Sequence, residues 1–68
     1  SIVDVTKILN STKQDPKLAE VFLQYSDGNT RRLEHLICNS ISVAELNGNI
    51  EVDEAIVRET SKMLMDRE

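Results

Sequence analysis

Gly28-Asn29-Thr30-Arg31-Arg32-Leu33-Glu34-His35-Leu36-Ile37-Cys38 is the stretch on which the fold turns, because a break and a helix start meet in it. Gly28 follows Ser26-Asp27, turn-forming residues that end an apolar-periodic segment. Beyond Asn29 and Thr30, Leu33, Leu36, Ile37, Ile41 and Ala44 recur at three- and four-residue spacing, which predicts a long, central helix over 30–46 with these side chains, and Leu46 after them, inward. Its exit is Asn47-Gly48-Asn49. Upstream, Leu18, Val21, Phe22 and Tyr25 make the i, i+3, i+4, i+7 pattern of a helix over 16–26, opened by Asp15-Pro16. Further upstream Ile2, Val5, Ile8 and Leu9 mark a helix over 2–12, with Ser1 placed to cap it and Asp4 three residues on. Downstream, Asp53 is placed as the cap of a helix over 54–66, with Val52 and Val57 at the spacing of a hydrophobic staple and Ile56, Thr60, Met63 and Leu64 inward. The pattern predicts an all-α fold, a small four-helix bundle forming one domain over 1–68.

Composition sets the limits. At 68 residues and 40% hydrophobic side chains the chain supports one small core, and with Phe22 and Tyr25 as its only aromatics that core must be aliphatic. A domain of this size is marginal alone, so packing against a neighbouring domain or another copy is expected. Cys38 is the single cysteine, which rules out an intramolecular disulfide and points to a reducing, cytoplasmic compartment. No apolar run approaches the ~20 residues that span a bilayer, so no membrane association is expected. Twelve acids against eight Lys and Arg give a formal charge of −4, the wrong sign for autonomous binding to phosphates.

The inventory for chemistry is poor: one His, one Cys and no glycine-rich phosphate loop. His35 and Cys38 lie three apart on one predicted helix, but a nucleophile needs an oriented base and an oxyanion donor as well. A packed Cys38 and a surface or helix-capping His35 are therefore expected, and no catalytic residue is assigned. Glu51, Asp53 and Glu54 lack the spacing of a metal loop, and helix capping accounts for Asp53, so no metal site is assigned. Arg31 and Arg32 are different. Both fall in a first helical turn, where the helix dipole slightly disfavours a cation. Either they are solvated and pair with surface acids, or one of them reaches an anion supplied by another domain, for which a guanidinium fork is well suited.

The segment resembles the third helix of the lid subdomain of AAA+ ATPases, where a Gly-x-x-Arg-x-Leu pattern carries the sensor 2 arginine; Gly28, Arg31 and Leu33 match it. Nearly the whole chain shares the likeness: helix order, a long third helix, the Asn47-Gly48-Asn49 break and Ile50-Glu51-Val52-Asp53-Glu54-Ala55 opening the last helix. Within that superfamily the chain looks most like the transposon target-selection ATPases, the phage Mu B group. The resemblance implies a C-terminal fragment of a larger ATPase, with ATP and magnesium on a core domain outside this chain and no cofactor in the fragment itself. Arg31 is then the nucleotide sensor. Implied partners are that core domain, further copies of the full-length protein, nonspecific DNA and a transposase-like protein. Arg32, His35, Lys13, Lys17, Arg58 and Lys62 are the residues available for DNA or partner contact, though interspersed acids such as Glu54 and Glu59 dilute their field.

Two other classes compete. A small helix-turn-helix DNA-binding module would use the third helix for recognition, with Arg31, Arg32 and His35 at its N-terminal end. The charge and the apolar length of that helix weigh against it. A protein-interaction module would bury surplus Leu, Ile and Met against a partner.

Overall fold

The computed structural model describes residues 2–65, and burial from Val3 onward. Its elements are α1 (Ile2–Ser11), α2 (Leu18–Ser26), α3 (Thr30–Leu46) and α4 (Glu54–Met65). The chain is therefore a small all-α bundle. The cap expected at Ser1, the burial of Ile2 and the last expected residue of the fourth helix lie outside the described residues.

Each boundary has a local cause. α1 ends one residue earlier than its periodicity predicts, because Lys13 adopts the left-handed conformation (φ 62°). The Lys13 N–H then donates to the Asn10 carbonyl (3.2 Å) and the Gln14 N–H to the Leu9 carbonyl (2.7 Å), the double closure of a Schellman motif. A lysine there costs about 1 kcal/mol against glycine, and with no glycine at this position the sequence does not mark the end of the helix. α2 begins at Leu18 and not at Pro16. The turn before it is tighter, with the Leu18 N–H on the Asp15 carbonyl (3.0 Å), the Ala19 N–H on the Pro16 carbonyl (3.1 Å) and the Lys17 N–H on Asp15 Oδ1 (2.9 Å). α3 closes as α1 does, this time with Gly48 in the left-handed position (φ 77°) and the Asn49 N–H on the Ala44 carbonyl (2.8 Å). α4 starts as its sequence predicts: Asp53 Oδ1 accepts from the Ile56 N–H (2.9 Å), and the staple residues Val52 and Val57 are both buried.

α2, α3 and α4 pack on one another, and α1 packs on α2. The central helix is thus the short α2, which touches all three others, and not the longer α3. Phe22, fully buried, is its largest contribution to the core. Around it lie Val5 and Leu9 from α1, Leu18 and Ala19 from α2, Leu33, Leu36, Ile37 and Ala44 from α3, and Val52, Ile56 and Val57 from the last connection and α4. The body measures 29 × 28 × 15 Å, thin enough for about two layers of helices at the usual 8–10 Å spacing.

Three expected inward positions are exposed, and Val21, Tyr25, Ile41 and Leu64 are only partly buried. Leu46 is 87% exposed because, two residues past buried Ala44, it lies about 200° round the helix from the buried stripe, and Met63 is half exposed while its neighbour Leu64 packs against the core. Ile8 sits at the edge of the α1 face, with Leu9 fully inside. What fills the interior instead is small and polar: Ser26, Ser40, Thr60 and Ser61 are buried. Ser26 Oγ donates to the Leu23 carbonyl (3.0 Å), but Ser40 Oγ and Thr60 Oγ1 make no hydrogen bond. A buried hydroxyl without a partner costs roughly 1–3 kcal/mol. Thr60→Val keeps the shape and removes the hydroxyl, so it is expected to stabilise the fold by about 1 kcal/mol, a rise in melting temperature of about 4–8 °C. A thermal melt followed by far-ultraviolet circular dichroism checks it, and an unchanged or lower midpoint means that the hydroxyl has a partner.

Candidate functional site

The start of α3 is where the sequence places its candidate anion-binding residue. α2 ends in two left-handed residues, Asp27 (φ 53°) and Gly28 (φ 75°), which reverse the chain. A Cβ at Gly28 would meet no atom within 4 Å, so glycine is favoured there by its backbone angle and not by crowding. Asn29 then caps α3: its Oδ1 accepts from the Arg32 N–H (3.0 Å) and its carbonyl from the Leu33 N–H (2.9 Å). Leu33 is buried and ties this first turn to the core.

Between cap and anchor, Arg31 is exposed and Arg32 is half-buried. The two arginines are therefore not equivalent: Arg31 extends from a helix start fixed at both sides, while the stem of Arg32 lies against the body. The N–H groups of the first helical turn add their positive end of the dipole beside Arg31. Such a corner favours an anion with several oxygens, and Arg31 can offer it a planar fork of donors.

The other candidates are dispersed. His35 is exposed one turn further along α3, where its carbonyl accepts from Asn39 Nδ2 (2.7 Å). Cys38 is exposed as well, contrary to the expectation that it packs. The buried stripe of α3 runs through Leu33, Leu36, Ile37, Ser40 and Ala44, and position 38 falls on the opposite side of the helix. Arg58 and Lys62 are exposed four residues apart on α4, and Lys17 is exposed in the connection before α2. Lys13 lines a concavity with Glu45, Gly48, Asn49 and Ile50, at the C-terminal end of α3. Fourteen helical residues separate Arg31 from Glu45, about 20 Å along the axis. Lys13 therefore does not share a patch with Arg31. Among the described residues no group of three or more His, Cys, Asp or Glu is placed to hold a metal ion.

No family model, no curated protein and no solved structure matches this chain. What can be said of its function therefore comes from its own residues. No helix among those described is long and apolar enough to cross a membrane.

One residue that sequence reading passed over is Gln14. It is buried, its Oε1 accepts from the Val52 N–H (2.7 Å), and its Nε2 donates to the carbonyls of Ile50 (3.3 Å) and Thr12 (3.4 Å). It links the α1–α2 connection to the α3–α4 connection. In the sequence it is one polar residue in the run Asn10 to Asp15, and no periodicity sets it apart.

Proposed function

We propose that the chain is the lid subdomain of an AAA+ ATPase, with Arg31 as the residue that senses nucleotide on a core domain outside it. The observation that supports this reading is the exposure of Arg31 on a helix start held by the Asn29 cap on one side and buried Leu33 on the other. A guanidinium presented this way loses little freedom on meeting a phosphate, and it keeps its charge at any physiological pH. Gly28, Arg31 and Leu33 are compatible with the lid motif: the glycine reverses the chain, the leucine is buried and the arginine is exposed. In this reading ATP and its magnesium ion belong to the core domain, and the lid reports the γ-phosphate by rotating against it. The clients would be neighbouring subunits, DNA or a transposase-like protein in DNA transposition or a related DNA transaction.

The test is Arg31→Ala in the full-length protein. Removing one charged donor from a developing phosphate charge is expected to lower ATP turnover about a hundredfold. The melting temperature of the domain should change little, since Arg31 is exposed. Arg31→Lys is expected to restore only part of the rate, because an ammonium does not reproduce the fork. Unchanged turnover in Arg31→Ala, or a full-length protein without a phosphate-binding loop ahead of this domain, rejects the assignment.

A further inference from the structure

We propose that the α3–α4 connection, at the far end of α3 from Arg31, is a docking surface for a basic amphipathic segment of another protein. Two aliphatic side chains are held out to solvent there: Leu46 is 87% exposed and Ile50 85% exposed. Neither is on a loose loop. The Gly48 turn is closed by the Asn49 N–H on the Ala44 carbonyl (2.8 Å), and the backbone on each side of Glu51 is held from within by Gln14, through the Ile50 carbonyl and the Val52 N–H. The side chain of Val52 is buried. The connection thus presents Ile50 outward on a chain whose conformation is already paid for, and a partner that covers it loses little to ordering.

Two concavities flank Ile50 and share Gly48, Asn49 and Ile50 as their common wall. One is completed by Glu51 and Asp53, the other by Glu45 and Lys13. Three carboxylates against one ammonium therefore surround the exposed isoleucine, and Glu54 follows directly at the start of α4. This charge selects the occupant. A segment with an apolar side chain beside Ile50 and Lys or Arg on its flanks gains from the rim, whereas nucleic acid is repelled, as is a second copy of a chain whose net charge is −4. The site does not rest on the ATPase reading, since about 20 Å of helix separates it from Arg31.

The experiment is a titration of the isotope-labelled 68-residue chain with a synthetic amphipathic peptide, two leucines four residues apart with lysines and arginines on either side, followed by amide chemical shifts. A control peptide carries glutamate at every basic position. Saturable shifts confined to residues 46–53 and an affinity that falls with salt are expected for the basic peptide and not for the acidic one. Exposed charge pairs contribute modestly, so Glu45→Gln with Glu51→Gln is expected to weaken binding about twofold to thirtyfold. Ile50→Ser, which leaves the Gln14 backbone contacts in place, should abolish the shifts without lowering the melting temperature. Shifts elsewhere, equal affinity for the acidic peptide or indifference to Ile50→Ser overturn the proposal. So does a concentration-dependent shift of residues 46–53 in the chain alone, which would assign the surface to a second copy.

Discussion

Phe22→Ala is expected to destabilise the domain by about 3–5 kcal/mol, the cost of removing a fully buried aromatic ring and leaving a cavity that the surroundings fill only in part. Phe22 is fully buried on α2, the one described helix that touches all the others, so the cavity would open at the centre of the core. Against a total stability of roughly 3–10 kcal/mol for a chain of 68 residues, that loss empties much of the native population. Urea unfolding followed by circular dichroism should show the midpoint of Phe22→Ala falling to low denaturant or vanishing. Phe22→Leu is expected to lose about a third as much, because most of the volume is kept. The control is Leu46→Ala: Leu46 is also expected inward from the sequence but is exposed, and its change should stay within about 0.5 kcal/mol. A loss below about 1 kcal/mol at Phe22 would mean that α2 is not the centre of the core.

The contrast between Phe22 and Leu46 shows what the sequence could and could not convey. Helix existence was legible because each helix of a small bundle must bury one stripe, and the three- and four-residue spacings at Val5 and Leu9, Leu18 and Phe22, Leu33 to Ala44, and Ile56 record those stripes directly. The cap at Asp53 was legible too, whereas Asn29 reads only as a turn residue. An apolar residue is not inward unless its phase fits: Leu46, two residues past Ala44, faces away from the α3 stripe, and Met63 falls at the margin of the α4 stripe. Periodicity also undervalues small side chains. Ser40 and Thr60 lie in the buried stripes of α3 and α4, where their size fits between helices in spite of their hydroxyls. Helix length suggested that α3 is central, but the three-dimensional centre is decided by which helix is touched from all sides, and that is α2. At the candidate site, the exposure of Arg31 follows from its position between cap and anchor. The exposure of Cys38 follows from the angular phase of α3, two residues short of buried Ser40. Gln14 was out of reach, because its partners lie 36 and 38 residues away and are backbone groups that leave no mark in the sequence.

Gln14→Ala is the second change expected to be severe, at about 2–4 kcal/mol, and its cost comes from the groups left behind. Truncation strips the acceptor from the buried Val52 N–H and a donor from the Ile50 carbonyl, and an amide orphaned out of reach of water loses more than the bond itself was worth. It also unfastens the α1–α2 connection from the α3–α4 connection, so part of the loss should appear as faster hydrogen exchange around residues 50–53, ahead of global unfolding. Gln14→Glu separates the two halves of the clamp. Its carboxylate still accepts from Val52 but faces the Ile50 carbonyl with a second acceptor, inside a site that disfavours charge. Burial therefore raises the pKa of this carboxyl in the folded state above its unfolded value. The variant is closest to wild type below the unfolded pKa, where the protonated acid donates as the amide did. It falls further behind as pH rises through the folded pKa. Urea midpoints of Gln14→Glu and wild type compared at each pH cancel the titration of the other acids. A gap that widens with rising pH supports the clamp, and a gap independent of pH would show that the donor half of Gln14 contributes nothing.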